Sequence, residues 1–154
     1  MSAVTKPRPE GLLAESVVDI AAHLRLAVTR TARRLRQEAP GLSPSQGSAL
    51  VTIERHGPLT PSGLAERERI SRPTASRVAA RLEEDGLVER AAVPADGRSY
   101  SLRLTPAGAA LLRRVRRRKT AYLADRLQAL DAEELATLER ASELLERMLE
   151  GERS

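Results

Sequence analysis

The near absence of aromatic side chains constrains this sequence more than any other feature. The chain of 154 residues contains two Tyr, no Phe and no Trp, and it also lacks Cys. A hydrophobic core must therefore be built from Leu, Val, Ile and Ala, without disulfides or zinc–thiolate sites to support it. This composition favours packed helices, and the length is sufficient for one ordinary domain with its own core. The sequence predicts a mainly helical, soluble globular protein.

The composition argues against several classes of function. Binding of single-stranded nucleic acid normally uses aromatic stacking platforms, which this chain lacks. His23 and His56 are 33 residues apart and form no metal-binding motif. Because no paired nucleophile and base and no glycine-rich phosphate loop can be found, we predict no catalytic residues, no metal, no cofactor and no enzymatic activity. The pattern also contains neither a membrane span nor a signal peptide, so we expect a cytoplasmic protein that does not bind membranes.

Charge is distributed unevenly along the chain. The formal net charge is +5 and the sequence pI is about 10.6. Residues 60–119 carry 14 Arg or Lys against 7 Asp or Glu, whereas residues 120–154 carry 4 against 9. A basic middle followed by an acidic tail indicates a surface for a polyanion such as double-stranded DNA. Basic charge can also serve solubility alone, so the charge pattern leaves both interpretations open.

Capping residues and apolar periodicity predict four helices, a β-hairpin and two more helices, in that order. The segment ESVVDIAAHLRLAVTRTARRLRQ carries one apolar stripe and predicts the first helix. The other helices are predicted to begin at N-cap residues, which are Ser43 with Gln46, Thr60, Ser71, Thr105, and Asp131 with Glu134. Gly57 and Gly86 are predicted to end helices, Gly86 in the left-handed conformation. Alternating apolar residues in LVERAAVPADGRSYSLRLT predict the hairpin.

The predicted helix from Ser71 to Asp85 has a polar face that helix stability does not explain. Its apolar side follows the helical period and consists of Ala75, Val78, Ala79 and Leu82. Its acidic residues cluster at the C-terminal end, where the helix dipole disfavours them, which indicates that the N-terminal half is shaped for an anion. The candidate DNA contacts on the polar face are Ser71, Arg72, Pro73, Thr74, Ser76, Arg77 and Arg81.

The segments around this helix fit a winged helix-turn-helix. A short helix precedes it, and Leu64 and Ala65 are spaced to pack against Val78 and Leu82. A recognition helix presents its N-terminal residues to the major groove, where Arg reads guanine and Ser or Thr contacts bases or phosphates. The hairpin tip exposes Arg98, which is suited to the neighbouring minor groove. The simpler alternative is a helical bundle whose hairpin has no role in binding.

The same segments resemble the MarR family of bacterial transcription regulators. The resemblance is carried by LTPSGLAERERISRPTASRVAARLEEDGLVER and by DGRSYSLRLTPAG, and it covers about residues 12–150. It implies a mainly α fold with a small β-hairpin wing, in which a winged helix-turn-helix is flanked by dimerisation helices. It further implies a homodimer with intertwined first and last helices, which binds a palindromic operator, usually as a repressor, and is often released by a small aromatic or phenolic effector.

The resemblance implies a division of the chain and roles for single residues. We expect a loose segment over residues 1–11, dimerisation helices over 12–38 and 106–150, and a winged-helix lobe over 43–105. Within the wing, Arg98 is expected to reach the minor groove, Asp96 to orient it, and Gly97 to permit the turn between them. Arg90 matches a position that braces the wing. His23 lies beside the apolar stripe of the first helix, near the expected effector pocket, although an ordinary polar helix residue is the alternative.

Several features separate this chain from the family pattern or leave its function open. Arg69 stands in the turn where members often have Gly, and AAVPADGRS lacks the usual second charge before the wing. The lack of Cys excludes peroxide sensing by a thiol. The run RRVRRRK at residues 113–119 is either a phosphate contact or a solvated helix face. The competing function is a winged-helix module for protein interaction, but such a module would not need Arg72, Arg77 and Arg98.

Overall fold

The computed structural model describes residues 9–93 and 99–150 of the chain. The elements are α1 (Pro9–Glu38), α2 (Pro44–His56), α3 (Pro61–Glu68), α4 (Arg72–Glu84), β1 (Val88–Ala92), β2 (Tyr100–Leu104), α5 (Pro106–Leu127) and α6 (Ala132–Glu150). The predicted order of elements and the mainly helical fold class are confirmed. The chain divides into two compact units, residues 1–38 with α1 and residues 39–154 with all other elements.

Four of the helices begin with the same local device, a hydroxyl side chain followed by proline in the first turn. Ser43, Thr60, Ser71 and Thr105 each accept a hydrogen bond from the backbone N–H three residues later, at 3.0–3.3 Å. Proline fits these positions because its fixed φ suits a helix and its missing N–H would have no partner there. The last helix uses a capping box, in which Asp131 and Glu134 each accept from the other's backbone N–H. All five predicted N-caps are therefore confirmed.

Left-handed residues end the two helices of the helix-turn-helix. Arg69 follows α3 with φ of 53° and ψ of 43°, and Gly86 follows α4 with φ of 69°, as the sequence predicts. An L residue with a long side chain adopts this conformation at a cost that glycine avoids. The backbone N–H of Ile70 closes the turn on the carbonyl of Ala65 at 3.0 Å. The turn therefore keeps the geometry for which glycine is suited, although Arg occupies the position.

The hairpin is attached to the helix-turn-helix through a third backbone segment. Strands β1 and β2 pair antiparallel, with Val88 opposite Leu104 and Ala92 opposite Tyr100. Leu59, between α2 and α3, forms an antiparallel bridge with Leu102, with N···O distances of 3.1 and 2.7 Å. The bridge fixes β2 against the loop that leads into α3. The two residues are distant in sequence, and no local pattern predicts their contact.

The core of residues 39–154 is aliphatic, as the composition requires. Leu50, Leu64, Leu82 and Leu102 are fully buried, and they come from α2, α3, α4 and β2 respectively. Their cluster also contains Ala49, Ile53, Ala79, Leu87, Val88 and Leu112, with Val78 packed against it. On α4, Ala75, Ala79 and Leu82 are buried and Val78 is half-buried, so the predicted apolar face is correct.

The first and last helices, α1 and α6, have exposed apolar side chains. In α1, Val17 is 63 % exposed and Ile20 is 61 % exposed. In α6, all of whose residues the structure describes, none is buried, and Leu138 and Leu149 are 45 % and 60 % exposed. Aliphatic surface of this extent is uncommon on a helix that has no partner. Over the described ranges, none of the helices combines the length and apolar character that crossing a membrane requires.

Replacing Gly108 by Ala tests the close approach of α5 to the hairpin. A Cβ at Gly108 would lie 2.0 Å from the carbonyl oxygen of Leu87, so the backbone would have to shift. We expect the free energy of unfolding to fall by about 1–3 kcal/mol, the usual cost of overpacking. Gly47→Ala is the matched control, because a Cβ there meets no atom within 4 Å. That variant should gain roughly 0.5–1 kcal/mol, since Gly weakens a helix interior. Urea unfolding measures both, and equal effects would contradict the expectation.

Candidate nucleic-acid interface

The polar face of α4 is the surface on which the predicted contact residues lie. Because Ala75, Ala79 and Leu82 point into the core, the side chains opposite them face solvent. The exposed residues of this face are Ser71, Arg72, Pro73, Ser76, Arg77 and Arg81, and Thr74 is half-buried beside them. The fold thus brings the seven predicted residues of this helix onto one exposed, basic surface.

Ser71 and Thr74 bond to each other at the start of α4. The Ser71 hydroxyl accepts from the Thr74 N–H and lies 2.8 Å from the Thr74 hydroxyl. The guanidinium of Arg77 donates to that Thr74 hydroxyl at 3.5 Å, at the limit of a hydrogen bond. Arg72 and Ser76, by contrast, make no side-chain hydrogen bond within the described part of the chain. Their donors are therefore the ones best placed to meet a ligand.

A cleft of about 460 Å³ separates α4 from the beginning of α2. It is lined by Ser43, Ser45, Gln46, Thr74, Arg77, Val78 and Arg81. Two guanidinium groups stand on its α4 side, and the positive end of the α2 dipole and two hydroxyls stand on the other. A backbone phosphate suits this combination of groups, which holds a duplex in position without reading its sequence. Ser43, Ser45 and Gln46 were not predicted as contacts: Ser43 and Gln46 were fully explained as capping residues, and nothing in the sequence pattern singles out Ser45.

The acidic residues at the C-terminal end of α4 each have a partner. Glu83 pairs with Arg90 at 2.9 Å, and Glu84 lies 3.7 Å from Arg81. The Asp85 carboxylate accepts from the side-chain amide of Gln46 at 2.9 Å. The position that looked unfavourable for the helix dipole is therefore occupied by acids that contact α2, α4 itself and β1. The contacts of these acids with their partners, and not the helix dipole, account for acidic residues at the C-terminal end of α4.

Arg90 joins the end of α4 to both strands of the hairpin. Its Nε lies 2.9 and 3.0 Å from the two carboxylate oxygens of Glu83. Its guanidinium carbon lies 4.2 Å from the centre of the Tyr100 ring, which is on β2. The hydrogen bond with Glu83 raises the pKa of the Arg90 guanidinium above its ordinary value. These contacts support the wing-bracing role expected of Arg90, which stays a prediction.

The remaining predicted site residues are distributed over other parts of the chain. Asp96, Gly97 and Arg98 lie outside the described residues, so their roles in the wing stay predictions. His23 is exposed on α1, and its effector role is likewise untested. In the run 113–119, Val115 is buried and Arg116 forms an ion pair with Glu54. Over residues 9–93 and 99–150, no group of three or more His, Asp or Glu side chains is arranged to hold a metal ion.

A helix-turn-helix with an exposed basic second helix and an attached hairpin defines a protein of the winged-helix DNA-binding class. Comparisons with known proteins give the family. A MarR family model matches residues 41–99. An uncharacterised HTH-type transcriptional regulator of Mycobacterium bovis is 40 % identical over 133 residues, which are 85 % of this chain and 93 % of the relative. The chain therefore belongs to the MarR family of transcriptional regulators.

Two further comparisons bear on the fold and on regulation. The HTH-type transcriptional repressor MdtR of Bacillus subtilis is 32 % identical over 98 residues, which are 64 % of this chain and 63 % of that protein. The structure of a MarR family protein from Bacillus stearothermophilus matches with a TM-score of 0.77 at 23 % identity, covering 88 % of this chain and 96 % of that one. The second match shows the winged-helix fold.

Replacing Arg90 by Ala tests its contacts with α4 and Tyr100. We expect faster hydrogen exchange at the amide of Val93, which bonds to the Ser99 carbonyl at the outer end of the hairpin. The melting temperature should change little, because exposed ion pairs stabilise proteins weakly. Arg103→Ala is the matched control, since among the described residues its ion pair is the cross-strand pair with Glu89. Equal exchange rates in the two variants would mean that Arg90 does not brace the wing.

Proposed function

We propose that this regulator binds a palindromic DNA operator as a homodimer and represses transcription. The observation that carries the proposal is the division of α4 into a buried apolar side and an exposed side with Arg72, Ser76, Arg77 and Arg81. An exposed basic recognition helix is the part of a helix-turn-helix that enters the major groove. The similar protein MdtR is a transcriptional repressor, which supports repression as the direction of regulation.

The residues of this surface divide by the part of DNA that they suit. Arg72, Ser76 and Arg77 lie in the first two turns of α4 and are proposed to contact base edges. Arg81 and the cleft beside α2 are proposed to contact phosphates, together with the exposed N-terminal turn of that helix. Ser71, Pro73 and Thr74 form the helix start that presents these groups. Arg98, oriented by Asp96, is proposed to enter the minor groove.

A homodimer is proposed because α1 and α6 expose aliphatic side chains that a second copy can cover. The acidic α6 has its apolar side on Leu135, Leu138, Leu145 and Leu149, none of which is buried. Two-fold symmetry would present two copies of α4, so the half-sites should lie about one DNA turn apart, ~34 Å. Release by a small aromatic or phenolic effector is part of the proposal on the strength of the family resemblance alone.

Selection of duplexes from a random pool tests operator binding directly. Two inverted half-sites about one turn apart are the expected result. Failure to enrich any sequence at low salt would support the alternative, a winged-helix module that binds protein instead of DNA.

With the selected duplex, the binding affinity should fall by orders of magnitude between roughly 50 and 200 mM salt, because the arginines of the interface neutralise several phosphates.

Arg77→Ala is expected to relax the base preference at one position of each half-site. The loss should be about 1–3 kcal/mol per contacted site, measured as the affinity ratio between the operator and a duplex altered at that base pair. Arg140→Ala is the control, because Arg140 is an exposed arginine on α6 that pairs with Glu143. A similar loss in both variants would indicate a general effect of charge and would contradict direct readout by Arg77.

Leu138→Glu is expected to dissociate the homodimer. Leu138 is 45 % exposed in the single chain, and a carboxylate on a covered aliphatic face would be buried without a partner. Sedimentation at micromolar concentration should show a dimer for the parent and a monomer for the variant. Ala136→Glu adds the same charge two residues away and should remain dimeric, because Ala136 is exposed on the charged side of α6 with Arg140 and Glu143. A parent that sediments as a monomer would contradict the proposal.

A further inference from the structure

The side-chain amide of Gln46 makes two different contacts. Its Oε1 accepts from the backbone N–H of Ser43 at 3.1 Å, which completes the capping box of α2. Its Nε2 donates to the Asp85 carboxylate at 2.9 Å, across 39 positions of the chain. The reverse orientation of the amide would face an oxygen with a carboxylate and a nitrogen with an N–H donor. Both partners therefore select the same orientation.

The contact with Asp85 lies at the end of α4 that is remote from the base-reading residues. Asp85 is the C-cap residue of α4, and Gln46 is half-buried in the first turn of α2. From Asp85 to Arg77 the helix rises roughly 12 Å, at about 1.5 Å per residue. A displacement at Asp85 therefore moves the guanidinium groups of α4, whose contacts with bases tolerate shifts of only about 0.5 Å.

The same contact borders the cleft between α2 and α4. Gln46 lines the cleft together with Ser43 and Ser45, and Arg77 and Arg81 line its other side. The bond to Asp85 joins the two sides one turn beyond Arg81. It thus limits how far the beginning of α2 and the guanidinium groups of α4 can separate. Burial of Leu82 decides which side of α4 faces the lobe, but the hydrophobic effect is non-directional and restrains small rotations of the helix less tightly than a hydrogen bond does.

We propose that Gln46 is a positioning residue of the DNA-binding surface, which acts through Asp85 to fix the orientation of α4 relative to α2. The inference rests on the proposed function, because it concerns how the operator is discriminated from other duplexes. Oε1 serves the folding of α2, whereas Nε2 serves recognition. The two tasks of one amide can be separated by substitution.

Asp85→Ala removes the acceptor and one negative charge. Electrostatics alone predicts that losing an acid near DNA leaves operator binding equal or tighter. A lost positioning contact predicts that the ratio of operator affinity to random-duplex affinity falls by about three- to tenfold, the range for one hydrogen bond. Glu84→Ala is the matched control, since it removes an adjacent acid whose ion-pair partner among the described residues is Arg81, at 3.7 Å. Asp85→Asn retains an oxygen acceptor and should restore the parent ratio.

Gln46→Glu supplies the reciprocal test on α2. It retains the acceptor for the Ser43 N–H, so the capping box and the melting temperature should be preserved. It replaces the donor by a carboxylate oxygen that faces Asp85, and the affinity ratio should fall as in Asp85→Ala. Direct repulsion of phosphates would instead lower the affinities for operator and random duplex alike, without changing their ratio.

The outcomes separate the inference from the function on which it rests. If the parent discriminates and Asp85→Ala and Gln46→Glu discriminate equally well, the positioning role is overturned and the proposed function stands. If the parent shows no preference for any selected duplex, the proposed function fails and the inference fails with it. A fall in the ratio for Asp85→Ala and Gln46→Glu, with Glu84→Ala and Asp85→Asn unchanged, supports the inference.

Discussion

The shared burial of four leucines is the constraint on which the winged-helix lobe depends. Leu50, Leu64, Leu82 and Leu102 come from three helices and one strand, and each is fully buried. In a chain with no Phe or Trp, aliphatic side chains must supply most of the buried apolar volume. Fully burying one such side chain contributes roughly 1.5–3 kcal/mol. The apolar side of α4 packs into this cluster, so its arginines lie on the opposite side, where they face solvent or a ligand. The exposed basic surface is therefore a consequence of the core.

Polar contacts orient the helices and the hairpin that the hydrophobic core packs together. The pairs at the end of α4, with Gln46 from α2 and Arg90 from β1, are exposed or half-buried and contribute little to the free energy of unfolding. Their geometry is directional, whereas packing of aliphatic side chains is not. The bridge between Leu59 and Leu102 has the same character, since it fixes the hairpin in register against the loop before α3. Stability and orientation are thus supplied by different sets of residues.

The features that sequence reasoning predicted are those with a local cause. A hydroxyl before proline marks a helix start, Gly86 marks a helix end, and alternation around a glycine marks a hairpin, because each depends on neighbours within a few residues. The partners of Asp85 and Leu59 are distant in sequence, and nothing in a single sequence pairs them. Gln46 illustrates this limit of prediction from sequence. Its capping role fully explained its presence, so nothing in the sequence indicated its second contact, with Asp85.

Arg69 shows how the fold overrides a local preference. The sequence indicated an unusual residue in the turn, and the structure places it at φ of 53°, the conformation that glycine adopts most easily. The burial of Leu64 before the turn and of Ala75 after it requires a sharp reversal there, and the backbone accepts the strain of an L residue to provide it. Helix α4 is therefore positioned by a strained turn at its beginning and by polar contacts at its end.

The helices α1 and α6, unlike α4, keep aliphatic side chains exposed in the single chain. If a second copy covers these side chains, as proposed, the stability of α1 and α6 depends on protomer concentration. The stability of the winged-helix lobe does not depend on it in the same way, because the lobe has its own hydrophobic core.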